Sequence, residues 1–484
     1  MVTHPSLDPK DWAGFREQAH AALEAAIDLM QDRATAPVWR ETPAAVKQRL
    51  AEDLPMEATD LSGLNARIQA DVLPFGTGNT HPRFYGWVHG AGSPTGVIPD
   101  IYAAALNANL GGRDHVANEV EKQVIQWCRQ IFDFPAAAGG LVVSGTSMAT
   151  LIALKSARDR HAQETASTGG VRPGLVGYAS AQSHSCVAQT FDIIGLGQNA
   201  LRRIPVNDRF RMDLAALKSA IAKDKNNGLQ PFCLIGTAGT VNTGAIDPLD
   251  ALADVAKTEN MWLHVDGAFG ALAVLHADLK PKLAGIDRAD SLAFDFHKWM
   301  HVNYDAGFIL MRDANDQLRA FSSRPEYLQS SQQGLAAGSP WFCDFGPELS
   351  RGFRALKVWF QMKSVGLRRI GEKIAENCAQ ADYLAGQVSK HPMLELLAPT
   401  DLNITCFRFI PENHDAAALD QLTTDIVTQL QLRGLAAPST TKINAKTAIR
   451  VNLTNHRTTL QDLDALIRDV TDIGSALSAE RTSR

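Results

Sequence analysis

The feature that most restricts what this chain can fold into is a set of short apolar runs, each closed by turn-forming residues and separated from the next by a helical stretch. They read LVVS from Leu141, LVGYAS from Leu175, CLIGTAG from Cys233, WLHVD from Trp262, SLAFD from Ser291 and GFILM from Gly307. Each is too short for a buried helix and apolar at consecutive positions, so both faces must be covered. Strands of that kind, alternating with amphipathic helices, predict an α/β fold around a mostly parallel sheet. In such a sheet, reactive side chains gather at the carboxyl ends of the strands.

The flanks differ. From Asp11 to Leu73 the pattern is helical, broken at Pro37, Pro43 and Pro55, and predicts an arm outside the sheet. Beyond a helix read over Leu349 to Val365 come another helix, strand-like LNITCFRFI and AIRVNLT, and a final helix from Leu460 to Ile473. These predict a smaller α+β C-terminal domain. The expected division is 1–94 for a helical arm, 95–365 for the large domain and 366–484 for the small one.

Composition excludes several functions. With 484 residues, 45% apolar and 20% charged, the chain can build more than one core. A net charge of −5 without a run of Lys and Arg offers nucleic acid no cationic surface. The six cysteines lack metal-ligand spacing and are expected to be reduced. The opening MVTHPSLDPKDWAGF has no secretory pattern, and no apolar stretch reaches the length of a membrane span, so a cytoplasmic protein with no membrane partner is expected.

Four strand ends carry chemistry. In SLAFDFHKWMH the strand ends at Asp295 and is followed by His297 and Lys298. A lysine that is to form a Schiff base must lose its proton, which burial and a neighbouring cation promote. In MWLHVDGAFGAL, Asp266 ends a strand beside small Gly267 and Ala268; a carboxylate there can hold a pyridine nitrogen protonated while a flat ring lies against the backbone. LVVSGTSMATLIAL places Ser144, Gly145, Thr146 and Ser147 at a helix start, where free amides and hydroxyls can cradle phosphate. In YASAQSHSCVAQ, His184 follows a strand and can stack on an aromatic ring. Taken singly, each is also what a surface lysine, a helix cap or a structural histidine looks like. Together, in chain order, they supply a phosphate cradle, a stacking ring, a pyridinium partner and a Schiff-base lysine, the parts expected of a pyridoxal-phosphate site.

The motifs HPRFYGWV, SGTSMATLIALKSARDR, QSHSCV, GTAGTVNTGAID, LHVDGAFG, FDFHKWM and RPEYLQSS occur in one order. That order resembles the group II pyridoxal-phosphate decarboxylases, which act on aromatic amino acids, histidine, glutamate and cysteine sulfinate. The resemblance runs from about residue 60 into the C-terminal domain. It implies the aspartate-aminotransferase-like fold, fold type I, and a homodimer with shared active sites. It further implies that Lys298 carries pyridoxal 5'-phosphate as a Schiff base, that Asp266 pairs with the pyridine nitrogen, and that His184 and Ala268 lie on opposite ring faces. Thr146, Ser147 and His297 match positions near the phosphate, and Ser350 matches one contributed by the partner subunit. Thr240 matches a threonine near the ring oxygen and the substrate carboxyl. Asp295 departs from the asparagine of the animal aromatic enzymes, and an ionised carboxylate would repel phosphate.

The implied reaction is decarboxylation of an L-amino acid to the amine and CO2. The Gly-, Ser- and Gln-rich stretch RPEYLQSSQQGLAAGS reads as a lid, and within it Tyr327 matches the tyrosine that protonates Cα. An aromatic substrate is favoured, with Trp87 and Val88 suiting a ring. His89, Asn107, Asn109 and Arg113 keep open a polar, acidic or diamino substrate. Two further alternatives are an aldehyde synthase coupling decarboxylation to oxidative deamination, and a cofactor-free binding homologue.

Overall fold

The computed structural model describes residues 6–162, 170–171, 173–322, 331–412 and 414–482. The N-terminal helices are Trp12–Gln31, Ala44–Leu50 and Leu61–Asp71. The first begins where the Asp11 side chain accepts the amides of Ala13 and Gly14, and the third where Asp60 accepts that of Gly63. Pro37, Pro43 and Pro55 all fall between helices, as their missing N–H requires.

The main sheet comprises β1 (Gly139–Val143), β2 (Leu175–Ser180), β3 (Leu201–Ile204), β4 (Gln230–Thr237), β5 (Trp262–Asp266), β6 (Ser291–Asp295) and β7 (Gly307–Met311), in the order β1-β7-β6-β5-β4-β2-β3. All pairings from β6 to β3 are parallel, while β7 runs antiparallel to both its neighbours. Six of these strands coincide with the apolar runs. The seventh, β3, reads LRRI; as an edge strand it tolerates Arg202 and Arg203, which conceal it in the sequence.

Alternate residues of the central strands enter two different cores. Leu234, Leu292 and Phe308 belong to one, Ile235, Ala293 and Ile309 to the other. The first is covered by helices Val116–Ile131, Leu214–Asn226 and Leu249–Thr258, the second by Thr146–Ala162 and Ser185–Ile193. Double coverage is the reason the strands read as unbroken apolar runs.

Helix Arg354–Val365 starts later than the sequence suggests and is separated by Gly366, at φ +82°, from helix Leu367–Lys390. A second sheet follows, made of β8 (Leu394–Leu396), β9 (Ile404–Phe409), β10 (Ser439–Ile443) and β11 (Lys446–Asn452), antiparallel throughout in the order β10-β11-β9-β8. Helices Ala416–Leu432 and Leu460–Thr482 pack on it around Phe407, Phe409 and Val451. Residues 83–85 attach here as well: the Tyr85 amide donates to Ala437 O, and the Asn452 amide donates to Tyr85 O at 3.0 Å. This anchorage delivers residues 87–89 to the carboxyl ends of the main sheet.

Candidate active site

A cavity of about 520 Å3 opens at those strand ends. Its wall brings together Thr146, Ser147, His184, Asp266, Ala268, His297 and Lys298, contributed by four segments distant in sequence.

Asp266 is the last residue of β5 and is almost fully buried. Its carboxylate accepts the Ala268 amide at 3.1 Å, which fixes its rotamer toward the cavity. Burial pushes this carboxyl up, against the opposing charge of Lys298. A cationic ring nitrogen placed against it would gain the partner that burial makes necessary.

His184 caps helix Ser185–Ile193, with Nδ1 accepting the Cys186 amide at 3.2 Å. A neutral ring must then carry its proton on Nε2. Ala268 lies on the cavity wall beyond Asp266, where a methyl group leaves room for a flat ring. Cys186 also lines the cavity; burial pushes its thiol up to about 12, so it stays protonated.

Helix Thr146–Ala162 points its N-terminus into the cavity, with Ser147 exposed there. The Thr146 hydroxyl is buried without a hydrogen-bond partner, as is that of Thr237 at the end of β4, and both residues line the cavity. Buried hydroxyls of this kind call for a polar guest. Beside them His297 is pinned through Nδ1, which lies 3.1 Å from the Ala306 amide and 3.0 Å from its carbonyl. Burial lowers its pKa, leaving the ring neutral.

Lys298 follows in the turn after β6. Its Nζ lies 2.9 Å from Asp295 Oδ2, and Asp295 Oδ1 accepts the Thr146 amide at 2.7 Å. Burial would pull the ammonium down, but the charge and hydrogen bond of Asp295, with Asp266 and Tyr304 beyond, outweigh it and hold the pKa above the ordinary lysine value. The neighbouring group is therefore an anion, where the sequence reading expected a cation. The reason is that Asp295, at the end of β6, faces the same cavity as the lysine it precedes.

Two other sequence assignments, Thr240 and Ser350, do not line this cavity. The Thr240 side chain is fully buried and its hydroxyl meets that of Thr243 at 3.1 Å, so it faces away from the cavity wall formed by Thr237, Gly239 and Val241. Ser350 is exposed and lies apart from this cavity. Tyr327 lies outside the described residues.

Tyr304 was not singled out by sequence. Its ring lies 4.4 Å from that of His297, and its hydroxyl accepts the Gly90 amide at 3.3 Å. The available signal was its place in the loop from Lys298 back to β7. His89 packs its ring against those of Phe84 and Trp87, at 5.6 Å from each, and edge-on to that of Tyr304 at 6.4 Å. Burial, and then the charge of Lys298, lower its pKa.

A sequence model described as the pyridoxal-dependent decarboxylase conserved domain matches residues 43–410. The chain belongs to that family. This decarboxylase is 33% identical over 470 residues to an aromatic-L-amino-acid decarboxylase of Bacillus atrophaeus, covering 96% of each chain. Its fold matches the glutamate decarboxylase domain of a diaminobutyrate-pyruvate transaminase and L-2,4-diaminobutyrate decarboxylase from Vibrio parahaemolyticus, with TM-score 0.86 and 27% identity over 98% of this chain and 97% of that one. It also matches Catharanthus roseus tryptophan decarboxylase in complex with L-tryptophan, with TM-score 0.86 and 25% identity over 97% of this chain and all of the other. The decarboxylase thus has fold type I, acts on an amino acid and depends on pyridoxal phosphate. The cavity fits that cofactor in its unpartnered hydroxyls, its buried carboxylate and its lysine. Among the described residues no helix is long and apolar enough to cross a membrane.

Proposed function

We propose that this decarboxylase converts an aromatic L-amino acid to its amine and CO2, using Lys298 as the residue that carries the cofactor. The observation that carries the substrate reading is the apolar part of the cavity lining, where Trp87, Val88, Val241 and Phe269 stand beside the polar residues. The Bacillus relative and the tryptophan-bound neighbour support it.

In this reading Thr146, Ser147 and His297 hold the phosphate, with Thr240 behind the wall. Asp266 balances the ring nitrogen, and His184 and Ala268 bracket the ring. When bound, pyridoxal phosphate supplies an electron sink for the bonding pair left by the departing carboxyl group. The chain's task is to orient and to exclude. His184 and Ala268 fix the ring plane, against which the carboxyl must stand upright for its electrons to be accepted. Lys298 would hold the cofactor through its Nζ and keep that amine within the site while substrate is bound. Tyr327 delivers the proton to Cα, and so determines that the product is amine and not aldehyde.

A homodimer with shared sites is part of the proposal. Helix Val97–Leu106 is apolar yet leaves Ile98, Ile101, Tyr102 and Leu106 about half exposed, a face that a second copy would cover. Ser350, exposed and away from its own cavity, is available to a neighbour's.

A second reading, a polar, acidic or diamino substrate, is favoured by His89 and Tyr304, which place an imidazole and a phenol on the wall. The test is amine production from a panel of aromatic, acidic and diamino acids, with Lys298→Ala as the blank. Faster turnover of glutamate or a diamino acid than of any aromatic acid would overturn the aromatic assignment.

A further inference from the structure

Asp295 ends β6 on the cavity wall, and the decarboxylation chemistry leaves it without a task. Its side chain is 4% exposed. One oxygen takes the amide of Thr146 at the helix N-terminus, the other lies 2.9 Å from Lys298 Nζ and 3.7 Å from His297 Nε2. The carboxylate fits because glycines flank it: a Cβ on Gly307 would come within 2.7 Å of Asp295 Oδ1, and one on Gly145 within 3.6 Å. It therefore joins the two ends of the cofactor site, the phosphate cradle and the amine.

We propose that Asp295 is a positioning residue that seats the Thr146 helix start and the Lys298 amine on a single carboxylate, and thereby sets the pH at which Lys298 captures the cofactor. The inference rests on Lys298 being the cofactor lysine. Capture is a condensation: the Nζ lone pair bonds to the aldehyde carbon, the carbonyl oxygen leaves as water, and the ammonium proton must first pass to solvent. An anion at 2.9 Å opposes that loss.

The other titratable groups around Lys298 are Asp266 from β5, His184 and Cys186 from the Ser185 helix and its cap, His297 in its own turn, Tyr304 from the following loop, and His89 from the segment before the first sheet. Asp266 is the only other acid among them, and its own ionisation is disfavoured by burial. His184, His297 and His89 favour loss of the lysine proton whenever they are charged. Asp295 is the group whose removal most changes the field at Nζ.

The experiment mixes full-length cofactor-free enzyme with pyridoxal phosphate and follows C=N absorbance in stopped flow from pH 6 to 9. Asp295→Asn keeps an oxygen for the Thr146 amide and removes the charge. Its rate profile should move to lower pH by a unit or more, so capture at pH 7 quickens about tenfold. Pyridoxine phosphate, which has an alcohol in place of the aldehyde, should bind the variant as well as or better than wild type, since no amine need deprotonate. Asp295→Ser, also neutral but with its oxygen one bond shorter than the one that takes the Thr146 amide, should show the same displacement. Wild-type profiles in both variants overturn the proposal. Borohydride reduction and peptide mapping of wild type separate the two levels: a label on another lysine defeats the assignment of Lys298, whereas a label on Lys298 with unmoved profiles defeats only the role of Asp295.

Discussion

Arg351 and Glu121 meet at 2.5 Å with side chains 1% exposed, behind the cavity and out of contact with it. The guanidinium also donates to the carbonyls of Leu110 and Val142, and the carboxylate accepts the Val142 amide, so the pair ties β1 to helix Val116–Ile131 and to the loop before that helix. Breaking a buried pair from one side leaves the other charge unpaired, at a cost of about 3–5 kcal/mol. Arg351→Met should lower Tm by several degrees, and adding Glu121→Leu should recover much of it. A thermal melt in which the double variant is no more stable than the single one would show that the charge is not what holds these elements.

Stability should also fall in acid through His264. Its ring is fully buried, hydrogen-bonded at 2.9 Å to Ser291 and at 3.3 Å to Thr150, and burial lowers its pKa to about 3 from 6.5. The unfolded chain takes up a proton near pH 6.5 that the folded chain refuses. The contribution is therefore complete above about pH 6.5 and is lost as pH falls toward 3, on the order of 3–5 kcal/mol over that interval. His264→Gln, which cannot titrate, should flatten the slope of unfolding free energy between pH 6.5 and 4 in urea titrations; an unchanged slope would assign the acid sensitivity elsewhere.

Asp266→Asn should reduce kcat by about 10²-fold, on the order of 3 kcal/mol, since a neutral amide cannot balance a protonated ring nitrogen. The unpartnered hydroxyls of Thr146 and Thr237 are untouched, so cofactor affinity should change far less. Near-normal kcat would remove Asp266 from this role.

The two tyrosines should separate cleanly. Tyr327→Phe deletes the proton proposed for Cα, so amine should fall while aldehyde appears in air. Tyr304→Phe loses only the bond from the Gly90 amide, about 1 kcal/mol, and should leave amine as the product. Product analysis under air and nitrogen makes the comparison; aldehyde from the Tyr304 variant would exchange the assignments.

The sequence alone determined the strands that are buried on both faces, because double burial writes itself as continuous apolar runs, and it placed Asp266, His184, Thr146 and Lys298 at their ends, because strand-end turns are local chemistry. It missed β3, an edge strand carrying arginines, and it did not foresee that β7 runs antiparallel. That reversal is what returns the chain past Lys298 and sets Tyr304 against His297. The anion beside the lysine, the outward turn of Thr240 and the arrival of Trp87 and His89 from a segment tied to the second sheet were likewise decided only by tertiary structure. Each depends on which side chains long-range packing brings within a few ångströms, and that is information no short stretch of sequence contains.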